Sequence, residues 1–229
     1  MYNEKGYCER RDFLSTPKRY LLLILAVMIQ SAGIALVVKS LLGTSPISSL
    51  PYVLSLISPF TFGQTTFAVN MVFVVFELLM LRRDFPAIFW LQIPVTILFG
   101  FCIDFFMQLF AILPEAYALK LLLCLLGTSL VALGVAGQGI ADVLMLAGEG
   151  AVYVFARKSG IDFGKVKVGN DISLVAIAAI VSVLTMGTIE GIREGTLISA
   201  LLTGIIARFY LRHLSRIDAH GRLYLAPHR

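Results

Sequence analysis

Six apolar runs, each at or near the length that crosses a bilayer, decide what this chain can become. They cover residues 20–42, 61–81, 87–113, 117–136, 172–187 and 196–212. A helix rises about 1.5 Å per residue, so roughly 20 apolar residues cross a hydrocarbon core of about 30 Å. The last two runs are short and carry Gly187 and Gly204, which leaves their ends open. The first run is longer than a signal-peptide core and has no convincing cleavage site, so it reads as a retained span.

Composition agrees. Hydrophobic residues make up 58% and charged residues 14%, against about 45–50% apolar and about 25% charged in a typical soluble domain. Such a chain cannot cover itself with a water-facing surface. A soluble enzyme, a disordered chain and a secreted disulfide scaffold are excluded, and an all-α multipass membrane protein is expected. The three cysteines, Cys8, Cys102 and Cys124, form no CxxC and no metal-ligand spacing. The three histidines, His213, His220 and His228, all lie in the C-terminal tail. No metal or cofactor is expected.

The net charge of +5 follows from topology rather than from nucleic-acid binding. With the N-terminus in the cytoplasm, sixteen of the nineteen Lys and Arg residues fall inside, and only Lys39, Lys120 and Arg193 fall outside. The positive-inside rule therefore expects six spans with both termini cytoplasmic. Residues 1–19 form one tail, residues 20–212 the membrane domain, and residues 213–229 a basic second tail.

Two segments between spans are not polar loops. Residues 45–58 follow span 1, and residues 142–157 follow span 4. Each is about half a membrane thickness as a helix. Counting either as a full span would spoil the charge asymmetry, so both read as short helices that are re-entrant or interfacial.

The chain also repeats itself. Phe62-Gly63 followed by Asn70 echoes Phe163-Gly164 followed by Asp171. Gly43 precedes Ser48 as Gly137 precedes Asp142, and Ser55 then matches Glu149. Gly100 before Asp104 and Phe105 echoes Gly204 before Arg208 and Phe209. The halves, about 20–113 and 117–212, each read as span, short helix, span, span. Three spans is an odd number, so the halves are expected upside down relative to each other, as in the inverted repeats of secondary transporters.

The segments GIALVVKSLLGTSPISSLPYVLS, TFGQTTFAVN, QIPVTILFGFCIDFF and GTIEGIREGTLISALLTG resemble the YczE/YyaS/YitT family of bacterial integral membrane proteins across residues 20–212. The family's Gly-x-x-Pro turn is matched by Gly43-Thr44-Ser45-Pro46. Its Pro-Arg-Asp turn reads Ile140-Ala141-Asp142 here, keeping the acid alone. Its Gly-Thr near the last span is matched by Gly195-Thr196. The soluble C-terminal domain of YitT-like members is not expected in this chain. The resemblance implies a bacterial cytoplasmic membrane and this fold, with little about activity.

Chemistry is expected at the short helices. Ser45 suits an N-cap and Pro46 the first helical position, and the freed amides there suit an anion. Ser45, Ser48, Ser49, Tyr52 and Ser55 make one hydroxyl face, with Ile47, Leu50, Leu54 and Ile57 opposite. Gly43, Thr44, Ser45, Ser48, Tyr52, Asn70, Gln138 and Gly139 are the expected solute-binding residues. The second short helix places Asp142, Glu149 and Tyr153 near one face. Asp142 reads either as a cap of that helix or as a coupling group. Acids at depth normally face the bundle, so Asp104, Asp142, Glu149 and Asp171 are expected to couple or gate, with Glu190 and Arg193 in the last outer loop. Gln92 is a further polar group within a span. Glu77 lies one turn from Arg82 and Arg83 and is expected in an interfacial ion pair. No P-loop, HExxH or GxSxG motif occurs.

The expected function is a carrier of a small solute, with an anion among the candidates, driven by a gradient or by a partner; no enzyme is expected. The rival is a membrane accessory protein that supports another complex. Expected partners are the lipid bilayer, the solute, and a second copy or another membrane protein.

Overall fold

The computed structural model describes residues 16–111 and 114–214. The ends of both tails, with Cys8, His220 and His228, lie outside the described residues, as does the expected end of span 3 at Leu113. Eight α-helices follow in order: α1 (Thr16–Lys39), α2 (Pro46–Ile57), α3 (Phe62–Leu81), α4 (Gln92–Leu109), α5 (Tyr117–Ala141), α6 (Ala147–Ser159), α7 (Phe163–Met186) and α8 (Glu194–Leu214). Two short 3₁₀ turns, Arg82–Asp84 and Ala87–Leu91, join α3 to α4. Six of the helices, all but α2 and α6, are long and apolar enough to cross a membrane. The chain is a multipass all-α membrane protein.

Local signals set the boundaries. Thr61 and Gln64 form a reciprocal capping box that starts α3. Asp162 accepts from the Gly164 and Lys165 amides and starts α7. That cap begins α7 nine residues earlier than the apolar run, because Lys165 and Lys167 hide the helix from a hydropathy reading. Likewise α5 runs to Ala141, beyond the expected end at 136. Its last turns carry Gly137, Gln138 and Gly139, which weaken the apolar signal without breaking the helix. Run 87–113 opens as a 3₁₀ turn and becomes α-helical only at Gln92.

The centre of the bundle is the α1–α5 pair, the most extensive packing in the protein. Small residues bring the two backbones together. A Cβ on Gly33 would lie 2.5 Å from the Val131 nitrogen, and one on Gly134 would lie 2.5 Å from the Gln30 Cβ. Gly137 faces Ala26. Successive contacts advance along α1 as they retreat along α5, so the helices are antiparallel. Without water between helices, such close approach is what holds membrane helices together.

The remaining contacts fall in matched pairs. Helix α4 packs on α1, and α8 packs on α5. Helix α2 packs on α7, and α6 on α3. Helix α2 also packs on α3, and α6 on α7. One match fails. Helices α3 and α4 cross backbone to backbone at Gly63 and Gly100, whereas Gly204 has nothing within 4 Å and Gly164 meets only its own Asp162. Helices α7 and α8 are accordingly the most exposed of the six long helices.

Candidate functional site

The two half-length helices begin at the same point and run to opposite ends of α3. Helix α2 lies along the first half of α3: Thr65 donates to the Pro51 carbonyl at 2.8 Å, and the Tyr52 and Phe62 rings meet edge to face. Helix α6 lies along the second half: Phe155 stacks on Phe76, and Lys158 donates to the Met80 carbonyl. Their first turns meet beside Phe73, midway along α3. A Cβ on Gly148 would lie 2.5 Å from the Ile47 Cδ1 and 3.8 Å from the Phe73 ring. The N-termini of both short helices therefore converge inside the protein.

Each lead-in segment is pinned by a side chain. Before α2, the Thr44 amide donates to the Thr196 hydroxyl at 3.2 Å, and the Gly195 amide donates to the Leu42 carbonyl at 2.8 Å. Gly43 takes a φ of 119°, open only to glycine at low cost. Before α6, the Leu146 amide donates to the Gln138 side-chain oxygen at 3.2 Å, and Gln138 donates in turn to Gln30 of α1. Ser45 is the N-cap residue of α2 and Pro46 follows at the first helical position. The Ser45 side chain makes no cap bond. Its hydroxyl donates to Ser48 at 2.9 Å, while Ser49 bonds the Thr44 hydroxyl at 3.0 Å. Ser45, Ser48 and Ser49 are all buried, so the hydroxyl face of α2 meets protein.

A cavity of about 710 Å³ opens at the end of the bundle that carries Asp84, Arg157 and Lys158. It reaches inward past Tyr153 and the 143–145 segment to Gln92, Gln138 and Gly150. Behind it lies a fully buried acid, Glu77. Its Oε1 accepts from Gln92 Nε2 at 3.4 Å and presses on Gly150. It forms no pair with Arg82 or Arg83, which are exposed. The expected interfacial pair is thus corrected: the helical turn that carries Glu77 faces α4 and α6, and the arginines follow in the 3₁₀ turn, where the chain has changed direction.

The other expected residues fall in three groups. Gly43, Thr44, Ser45 and Ser48 gather at the start of α2, and Gln138 and Gly139 at the end of α5. Asn70 is one turn before Phe73 and donates to the Thr66 carbonyl of its own helix at 2.8 Å. Tyr52 is half-buried against Gly191. Of the acids, only Glu149 and Asp171 come near each other, with Lys167 between the charges. Asp104 accepts from the Thr61 hydroxyl at 2.6 Å and the Gly63 amide at 2.7 Å, clasping α4 to the start of α3. Asp171 pairs with Lys167 at 2.8 Å on its own helix. Asp142 does not share a face with Glu149 and does not cap α6. It ends α5 in the left-handed region, five residues before α6, and lies 3.6 Å from Arg19. Glu190 accepts from Thr188 at 3.4 Å, and Arg193 pairs with Glu194 at 3.7 Å and donates to the Leu41 carbonyl. Sequence reasoning missed Gln30, Thr96 and Gly148. A lone amide in an apolar helix was the signal for Gln30; nothing local marks the other two.

A family model matches residues 17–212, the whole helical bundle. The chain belongs to DUF6198, a family of unknown function. No curated protein and no solved structure matches it.

Proposed function

We propose that this DUF6198 protein is a bacterial cytoplasmic-membrane carrier for a small anionic solute, built as an inverted repeat with both termini in the cytoplasm. The observation that carries the reading is the meeting of α2 and α6, N-terminus to N-terminus, at Ile47 and Gly148. Each helix start carries the equivalent of about half a positive charge and unbonded amides. Two such ends converging halfway along a spanning helix favour an anion there, as in carriers whose broken helices meet near the bilayer midplane. The matched helix pairs and the antiparallel α1–α5 axis support the inverted repeat. The excess of Lys and Arg at the cavity end supports an opening toward the cytoplasm.

The solute would enter by the vestibule and meet the α6 start beyond Gln138. Closure of α3 on α4 at Gly63 and Gly100, with no matching closure of α7 on α8, fits one state of an alternating cycle. A second reading, an accessory protein, is favoured by one observation: the long exposed faces of α7 and α8, free to seat a membrane partner.

A thermal-shift screen of the purified protein across small anions, cations, sugars and amino acids tests the two. An anion at 100 times its Kd stabilises the native state by about 2.7 kcal/mol. A shift with an anion, weakened in Ser45→Ala, is expected. Shifts confined to cations or neutral solutes refute the anion site, and no shift with any compound turns the reading to the accessory role.

A further inference from the structure

We propose that Glu77 is a proton-binding site of this protein, exchanging its proton with the vestibule past Gln92 and Gly150. The carboxyl is fully enclosed, 0% exposed. Its single described bond is the 3.4 Å contact from the neutral Gln92 amide, and its Oε2 has no partner. Among the described residues no basic side chain pairs with it: Lys167 is taken by Asp171, Arg19 by Asp142, Arg193 by Glu194, and Lys158 donates to the Met80 carbonyl. A buried carboxylate with no cation and a single long bond from a neutral donor is costly, and such a group neutralises.

The neighbours decide what neutralises it. From α4, Gln92 meets the carboxyl and Thr96 follows one turn later, and both are buried. The Gln92 amide nitrogen is used by Glu77 and by the Met145 carbonyl at 3.3 Å. Gln92 Oε1 is left without a partner, as are Thr96 Oγ1 one turn further along α4 and Glu77 Oε2 itself. From α6 comes Gly150, which offers no side chain and must stay glycine to admit the carboxyl. Three lone oxygens fall well short of the six or more that a calcium ion takes. One proton on Oε2 instead removes the buried charge itself. Gln92 and Gly150 also line the 710 Å³ vestibule, so the proton has a way to water.

The infrared spectrum of the full-length protein in lipid tests this without any solute. At neutral pH the native protein should show a carboxylic-acid carbonyl band that Glu77→Gln lacks, unchanged when metal cations are replaced by choline. Identical spectra for the two proteins overturn the proposal. So does a band that emerges only when metal cations are withdrawn, since a cation then occupies the site. Labelling the native protein with dicyclohexylcarbodiimide, an apolar reagent for protonated carboxyls, removes dependence on the variant's folding. An adduct on Glu77 that declines as pH rises is expected, and labelling of other acids with none on Glu77 refutes it. Neither readout involves transport, so the proton site and the carrier reading can fail separately.

Discussion

Thr61 and Asp104 hold the two ends of α3 and α4 together through a 2.6 Å hydrogen bond, and the second oxygen of Asp104 takes the Gly63 amide at 2.7 Å. In the sequence echo, the positions before Phe163-Gly164 and four after Gly204 hold Asp162 and Arg208. There the hydroxyl has become a carboxylate and the carboxylate a guanidinium, and the two stand apart. Asp162 caps its own helix, and Arg208 is exposed with no ion pair among the described residues. The lock is therefore closed between α3 and α4, and no such contact is made at the matched sequence positions of α7 and α8.

The closed lock gives a stability prediction. Asp104→Ala removes a charge-assisted acceptor and leaves the Gly63 amide without its partner. Hydrogen bonds to charged groups contribute about 1.5–3 kcal/mol, so the variant should melt measurably earlier in detergent. Asp104→Asn keeps an acceptor oxygen and should recover part of the loss. Equal melting of all three proteins would remove the clasp from any account of the fold.

The open lock gives a conformational prediction. If α7 and α8 close as α3 and α4 do, Gly164 and Gly204 come together as Gly63 and Gly100 now are. Cysteines placed at 164 and 204, in a background without Cys8, Cys102 and Cys124, should then cross-link under oxidation in native membranes. A disulfide needs Cα atoms within about 7 Å, which helices that do not pack cannot supply. Asp162→Lys should reduce the cross-link by repelling Arg208, and a second change, Arg208→Glu, should restore it. No cross-link under any solute condition would mean that the halves do not exchange arrangements.

How far the sequence reached depends on what each residue signals alone. Span number followed from hydropathy because every long helix must present apolar side chains to lipid, whatever its neighbours. The start of α2 was legible because Ser45 and Pro46 act locally. Glu77 was misread for the opposite reason. Its nearness to Arg82 and Arg83 in sequence is a local fact, while its contacts with Gln92 and Gly150 are set by how α4 and α6 fold back on α3. Gly148 was silent too: one glycine among many, until Ile47 is seen in the space that its side chain would fill.

Glycine substitutions should separate the two halves. Gly63→Ala would put a Cβ onto the Gly100 carbonyl, a backbone atom that cannot swing aside. Overpacking of this kind costs about 1–3 kcal/mol. Gly204→Ala meets nothing within 4 Å, and alanine is favoured over glycine inside a helix by about 0.5–1 kcal/mol. Thermal melting should therefore fall for the first and hold or rise for the second. Equal losses would show that α8 packs at Gly204 as α4 does at Gly100.

Gln138 supports the start of α6 from α5, so its loss should be felt at a distance along the chain. It accepts from the Leu146 amide and donates to Gln30, all within the buried interior. Gln138→Leu keeps the bulk but leaves the Leu146 amide and the Gln30 oxygen unpaired. An unsatisfied buried polar group costs about 1–3 kcal/mol. Hydrogen exchange should quicken at residues 143–147 while the α1–α5 backbone contact around Gly33 stays protected, because that contact is made by packing alone. Exchange that rises uniformly would instead place Gln138 in the cooperative core of the bundle, and exchange that does not change would mean that α6 is held by Gly148 and Gly150 without help from α5.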